Sequence, residues 1–185
     1  MALKATIFKA VLQIADMDRN YYHEHTLTIA QHPSETEERM MVRLLAFALN
    51  ANEALSFGKG LSADDEPDLW QKDLTGIIET WIDVGLPEEK LIRKACGRAR
   101  QVILYSYGGR GADIWWNQNK SKLERLNNLT VINLSEASSH GLAKMAQRNM
   151  QLQCTIQDGE IWMADQDGTT PVELTVAKSS ANASR

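Results

Sequence analysis

Residues 77–107 predict two parallel strands joined by a helix, and this unit restricts the fold more than any other part of the chain. Residues 77–84 are interpreted as a strand, in which successive side chains point to opposite faces of the sheet. Pro87-Glu88-Glu89 then supplies the proline and acids that favour the first turn of a helix. A mostly apolar run over residues 102–107 is typical of a strand that is covered on both faces. Because strand, helix and strand in this order form a right-handed crossover, the chain is predicted to have an α/β fold with a mixed sheet.

The N-terminal third predicts a hairpin followed by a long helix. Residues 5–14 and 21–30 are strand-like, and Asp16-Met17-Asp18-Arg19-Asn20 supplies the turn between them. Ser34 is a candidate N-cap with Glu37 three residues further on. The helix that begins there is expected to end near Asn50.

The second half of the chain continues the alternation of helices and strands. The sequence predicts helices over residues 114–122 and 136–148, and strands over 129–134, 150–156, 160–164 and 172–176. No internal repeat or linker interrupts the pattern. We therefore expect one domain over residues 1–178 and a flexible polar tail over residues 179–185.

Composition limits the partners and the compartment of the protein. The formal net charge of -4 gives no general attraction to polyanions, so a nucleic acid would need a local basic patch. Cys96 and Cys154 lie far apart and suggest neither a disulfide framework nor a zinc site. The sequence contains no window close to the roughly 20 apolar residues of a membrane span and no signal peptide. We expect a cytoplasmic protein with no membrane partner.

Three acidic residues are associated with the first strand of the crossover. Glu79 and Asp83 share one face of that strand with Trp81, and Asp68 lies just upstream, directly after Pro67. Two carboxylates about 4 Å apart repel by roughly 4 kcal/mol at an effective dielectric near 20, so such a cluster needs a cation or a proton. Oxygen ligands of this kind suit Mg²⁺ or Mn²⁺. The structural alternative is that Asp68 shapes a turn while Glu79 and Asp83 line a half-solvated face.

Over essentially its whole length the chain resembles the YaeQ family of bacterial proteins. The resemblance is carried by the segments HPSETEERM, ADDEPDLW, WIDVGLP, RKACGRA, IWWNQN and TIQDGEIW. It implies a variation on the PD-(D/E)xK fold, that is, a restriction-endonuclease-like core with an N-terminal β-hairpin and extra C-terminal strands. The signature of that superfamily is an acid after proline, a second acid on the next strand and a lysine two residues further on. Its general chemistry is metal-assisted phosphodiester hydrolysis.

This resemblance assigns roles to particular residues. Asp68 matches the first acid and Glu79 the second, which makes both candidate catalytic residues and ligands of Mg²⁺ or Mn²⁺. Trp81 stands where the pattern has lysine. Lys94 is the candidate replacement, because a right-handed crossover lays its helix back against the sheet. Asp83, and Glu38 on the first long helix, are expected to assist as further metal ligands.

Two functions remain open at this point. One is a divalent-metal-dependent phosphodiesterase or nuclease-like protein. The other is a non-catalytic regulatory protein that binds nucleic acid or protein, which the missing lysine and the negative net charge favour. Lys90, Lys94 and Arg98 share a helical stripe and are the candidate contacts to nucleic acid. The structural interpretation of the same stripe is a solvated helix face.

Two further patterns are predicted to be structural. Gly108-Gly109-Arg110-Gly111 follows a strand and precedes a helix, but it lacks the lysine of a P-loop and the dinucleotide fingerprint, so a plain turn is expected. His23 and His25 lie two residues apart without a third ligand nearby in sequence, so ordinary surface histidines are expected.

Overall fold

A computed structural model describes residues 4–63 and 65–181 of the protein. Within these residues eleven strands and four helices occur, which confirms the predicted α/β class. In chain order they are β1 Thr6–Asp16, β2 Tyr21–Gln31, α1 Glu37–Asn50, β3 Leu55–Phe57, β4 Leu69–Lys72, β5 Ile78–Val84, α2 Glu89–Arg98, β6 Ala99–Ser106, α3 Arg110–Leu123, β7 Leu129–Leu134, α4 Glu136–Ala143, β8 Asn149–Gln157, β9 Glu160–Asp165, β10 Gly168–Val172 and β11 Leu174–Lys178.

The strands divide between two mixed sheets, one in each of two compact units. The described residues of the first unit are 4–48 and 137–173, and those of the second are 49–63, 65–136 and 174–181. The single domain over residues 1–178 stays a prediction.

The first unit is built on a five-stranded sheet in the order β10-β9-β8-β1-β2. Its interior strand β1, between β8 and β2, buries alternate apolar side chains, because every second residue of a strand faces the same side. These buried residues are Phe8, Ala10, Leu12 and Ile14, as predicted. The predicted hairpin is confirmed, since β1 pairs antiparallel with β2, while β8 joins the other side of β1 in parallel.

Helix α1 begins at a different cap from the one predicted. The Arg39 N–H donates to Oγ1 of Thr36 at 3.1 Å, so Thr36 caps the helix. The Ser34 hydroxyl instead bonds to Nδ1 of His32 at 2.7 Å. The cap lies two residues later than predicted because the Ser34 side chain is used within the preceding turn.

A buried ion-pair cluster lies beside the start of α1. The Glu35 carboxylate accepts two bonds from Arg43, at 2.6 and 2.8 Å, and one from Arg39 at 2.6 Å. Nη2 of Arg43 also donates to the Ala30 carbonyl on β2 at 3.1 Å. The cluster therefore ties α1 to the edge strand of its sheet.

The second unit contains the predicted crossover. Its sheet has the order β11-β7-β6-β5-β4-β3, in which β5, β6 and β7 are mutually parallel. Helices α2 and α3 pack over one face of these strands, and Trp115 and Trp116 are both half-buried against that core. The buried cluster comprises Ile78, Trp81, Ile92, Ala95, Ala99, Val102, Leu104, Leu123, Leu129 and Val131.

The C-terminal elements differ from their predicted bounds. The strand predicted over residues 172–176 splits, because Val172 pairs with Ile161 in one sheet and Leu174 pairs with Leu134 in the other. Of the predicted flexible tail, residues 182–185 lie outside the described residues. The Ala181 N–H donates to the Asn127 carbonyl at 2.8 Å.

Among residues 4–63 and 65–181, every helix is too short or too polar to cross a membrane.

Candidate functional site

Asp68 is a buried carboxylate that connects three segments of the second unit. It is 2% exposed, and its Oδ2 accepts a hydrogen bond from the Val84 N–H at 2.8 Å. The Asp68 carbonyl accepts from the Gly58 N–H at 2.9 Å. Gly60 has φ +49°, and a Cβ placed there would lie 2.5 Å from Oδ1 of Asp68. The Asp68 side chain thus requires a glycine at position 60, while Gly58 is required by the preceding carbonyl, because a Cβ there would lie 2.2 Å from the oxygen of Pro67.

The pairing of β4 with β5 determines which acid lies next to Asp68. Leu69 pairs with Ile82 and Trp70 with Trp81. Asp83 is therefore the neighbour of Asp68, and its Oδ1 accepts from the Asp68 N–H at 3.3 Å. The other oxygen of Asp83 accepts from Nε1 of Trp81 at 2.8 Å. Asp83, rather than Glu79, is the second acid of this site.

Glu79 lies at the opposite end of β5. Four residues separate it from Asp83, which corresponds to about 13 Å along a strand. Its Oε1 is 3.3 Å from Nη1 of Arg100, because the β5–β6 register brings these two positions side by side. The Glu79 and Arg100 side chains are 30% and 61% exposed, so this is a surface ion pair worth less than about 1 kcal/mol. The strand register thus places Glu79 away from Asp68, and the roles of both as catalytic residues and metal ligands stay predictions.

Arg98, rather than Lys94, covers the tryptophan that replaces the motif lysine. The Arg98 Cζ lies 5.0 Å from the centroid of the Trp81 ring, and its Nη1 donates to the Asp65 carbonyl at 2.7 Å. Lys94 is exposed on α2. Among the described residues, no hydrogen bond or ion pair joins it to Asp68 or Glu79. The role assigned to Lys94 stays a prediction.

Glu38 belongs to the first unit and has a partner there. Its Oε2 lies 3.3 Å from Nε2 of His140 on α4. Its proposed role as a metal ligand stays a prediction.

Asp68, Asp83 and Glu79 are each engaged by other groups of the protein. Carboxylate oxygens are chemically suited to Mg²⁺. However, Asp68 and Asp83 accept hydrogen bonds from protein groups, and Glu79 pairs with Arg100. In the part of the chain that the structure describes, no group of three or more His, Cys, Asp or Glu side chains is placed to hold a metal ion. Binding of Mg²⁺ or Mn²⁺ stays a prediction.

Helix α2 carries the most concentrated positive charge near this site. Within its ten residues Lys90, Arg93, Lys94 and Arg98 oppose a single acid, Glu89, which gives a local charge of +3 from four cations and one anion. Glu89 pairs with Arg93 at 3.3 Å, and all four cations are exposed. Ile92 and Ala95 form the buried side. The sequence-predicted stripe is therefore a solvent-facing surface, with Arg98 partly committed to Trp81.

The glycine loop before α3 is occupied by a carboxylate of the protein itself. Gly109 has φ +59°, and a Cβ placed there would lie 2.7 Å from Oε2 of Glu136. The Glu136 carboxylate thus lies at the start of α3, where the helix dipole favours negative charge.

The two histidines of β2 belong to a small aromatic cluster in the first unit. Nε2 of His25 lies 2.7 Å from the Tyr21 hydroxyl, and the His25 ring meets the Phe47 ring edge-on at 5.0 Å between centroids. The His25 pKa is lowered by burial and by the nearby charge of His23. His23 is exposed, as predicted, whereas His25 is half-buried.

Comparison with known proteins identifies the family of the chain. A family model described as YaeQ protein matches residues 1–174. Proteins called "Uncharacterized protein YaeQ" from Escherichia coli K12 and Salmonella typhi are each 49% identical over 175 residues, covering 95% of this chain and 97% of the relative. The crystal structure of the YaeQ protein from Xanthomonas axonopodis pv. citri gives a TM-score of 0.91 at 48% identity, covering 95% of this chain and 99% of that one. The YaeQ protein from Pseudomonas syringae gives a TM-score of 0.91 at 35% identity, covering 96% and 98%. A match over nearly the full length in both sequence and fold establishes that the chain belongs to the YaeQ family.

Proposed function

We propose that this protein is a non-catalytic nucleic-acid-binding protein. Support comes first from the acids that would have formed a nuclease centre. Asp68 is tied to the Val84 N–H, Asp83 to Asp68 and Trp81, and Glu79 to Arg100. The exposed Lys94 adds no contact to them. Such a set of carboxylates serves the pairing of β5 with β4 and β6 rather than a reaction.

The observation that carries the proposal is the positive surface of α2. A local charge of +3 within ten residues stands out in a chain whose net charge is -4. Lys90 and Lys94, one helical turn apart, face solvent side by side. Ammonium groups at this spacing contact successive phosphates of a nucleic acid backbone, which gives binding that depends on salt rather than on base sequence.

The proposal is tested by the fluorescence anisotropy of a labelled DNA duplex titrated with protein at several salt concentrations. Wild-type protein should bind, with affinity that falls as salt rises. Lys90→Ala/Lys94→Ala should bind more weakly, and its slope of log K against log salt should be smaller by about 1.8, since each lost phosphate contact contributes about 0.9.

Lys120→Ala/Lys122→Ala is the matched control, because it removes the same charge from exposed positions on α3. It should retain the wild-type slope. Equal losses in both double variants, or no binding by wild type, would contradict the proposed surface. The same duplex with added Mg²⁺ tests the nuclease alternative. Shorter products from wild type, absent with Asp83→Asn, would show a metal-dependent enzyme instead.

A further inference from the structure

The sheet edges of the two units differ in how they are protected against pairing with another chain. β3 has only three residues, β10 contains Pro171, and β11 has a register shift between Val176 and Lys178. Short length, proline, irregularity and lysine are the features by which sheet edges avoid further pairing. β2 has none of them. It runs for eleven residues without glycine, proline or bulge, and within the described residues only β1 pairs with it.

The backbone groups that point outward from β2 follow from the pairing of β1. The Lys9 N–H donates to the Arg148 carbonyl, on the side of β8. The even-numbered residues of β1 therefore direct their N–H and C=O groups toward β2. There they pair with odd-numbered residues such as Leu27. The even-numbered residues of β2 consequently direct their N–H and C=O groups away from the sheet. The Ala30 carbonyl is directed outward in this way, because it accepts a hydrogen bond from Arg43 on α1 and not from β1.

The outward-pointing residues are accessible. They are Tyr22, Glu24, Thr26, Thr28 and Ala30, all of which are exposed, and Tyr22 is 58% exposed. Arg43 occupies only the Ala30 carbonyl at one end of this row, and an outward row of backbone donors and acceptors of this length is a template for one more strand.

We propose that the strand it accepts is β2 of a second copy of this chain, paired antiparallel about Thr26. This register joins the outward residues of both copies, placing Thr26 opposite Thr26, Glu24 opposite Thr28, and Tyr22 opposite Ala30. Glu24, the one carboxylate of β2, then faces a threonine, so no like charges meet. A register shifted to place Glu24 opposite Glu24 is disfavoured by their repulsion. The product is a continuous ten-stranded sheet made from two five-stranded ones.

The decisive variant is Thr26→Pro, measured by sedimentation velocity over a wide range of concentrations. Proline removes one outward N–H per copy. The hydrogen bonds between β1 and β2 are kept, because they are made by the odd-numbered residues of β2. Wild type should form a concentration-dependent dimer, and Thr26→Pro should dimerise about thirtyfold more weakly, since two ladder bonds are lost per dimer. Thr26→Ala keeps the N–H and should dimerise like wild type.

Amide hydrogen exchange of the wild type gives a second readout that does not depend on how a variant folds. The amides of Glu24, Thr26 and Thr28 should become more protected as protein concentration rises, while that of Leu27 should stay protected throughout. A wild type that is monomeric at every concentration would overturn the proposal. So would a dimer unaffected by Thr26→Pro, or outward amides whose exchange is independent of concentration.

Discussion

Arg43→Met is expected to destabilise the first unit strongly, because it removes the main partner of a buried carboxylate. The Arg43 and Glu35 side chains are only 7% and 2% exposed, so water does not replace the lost bonds. Breaking a buried pair by removing one partner typically costs about 3–5 kcal/mol. Arg39 still donates to the same carboxylate at 2.6 Å, which places the expected loss near the lower limit, about 3 kcal/mol. Methionine fills much of the volume of the arginine stem, so a cavity adds little.

The assay is urea unfolding followed by circular dichroism for wild type, Arg43→Met, Glu35→Gln and the double variant. Removing the charge of Glu35 as well should restore part of the stability, so the double variant should lose at least about 1.5 kcal/mol less than the sum of the single losses. Arg93→Met is the matched control. Its pair with Glu89 is on the surface, with the arginine side chain 63% exposed, and its loss should stay within about 1 kcal/mol. The reasoning would be refuted if the stability losses of Arg43→Met and Glu35→Gln were additive in the double variant. It would also be refuted if Arg43→Met lost as little stability as Arg93→Met.

Two further predictions concern the second unit and the histidine cluster. Trp81→Ala should lower the free energy of unfolding by about 3–5 kcal/mol, since the indole is 4% exposed. Trp81→Phe should cost less, because phenylalanine keeps most of the packing and loses the hydrogen bond to Asp83. If Trp81→Ala loses less than about 1 kcal/mol in urea unfolding, the ring is not packed. The His25 pKa is lowered from 6.5 in the folded protein, so the unfolded chain takes up a proton first and the free energy of unfolding should fall as pH decreases through and below 6.5. This part of the pH dependence should vanish in His25→Gln, and an NMR titration midpoint above 6.5 would contradict it.

Much of the local structure was predictable because it depends on periodicity. The alternation of Phe8, Ala10, Leu12 and Ile14 sufficed for β1, and the crossover through α2 followed from the order of apolar and charged runs. Helix α4 was predicted to extend to residue 148 but ends at Ala143. There the Met145 and Ala146 N–H groups bond three residues back, and the sheet takes over at Asn149, which pairs with Lys9. Pairing with a distant strand thus overrode a local helical pattern.

The candidate site was predictable in composition but not in geometry. Alternation along β5 predicts one face for Glu79 and Asp83, and only the pairing of Leu69 with Ile82 selects Asp83 as the neighbour of Asp68. A register is a relation between two strands, so the sequence of β5 alone does not contain it. The stacking of Arg98 on Trp81 was missed for the same reason, since it depends on where α2 ends relative to the sheet.

The first unit is built from two separate stretches of the chain, and this determines when it can form during synthesis. Asp18, in the turn after β1, accepts bonds from the N–H groups of Asp158 and Gly159, which lie 140 and 141 residues later in the chain. The β1–β2 hairpin closes locally and early, but its sheet is completed only after β8, β9 and β10 have been synthesised. The crossover strands of the second unit are closer together in sequence and have a shorter loop to close. A newly made chain therefore holds an unfinished hairpin until β8 has been synthesised, and the apolar face of that hairpin is accessible to chaperones in the meantime.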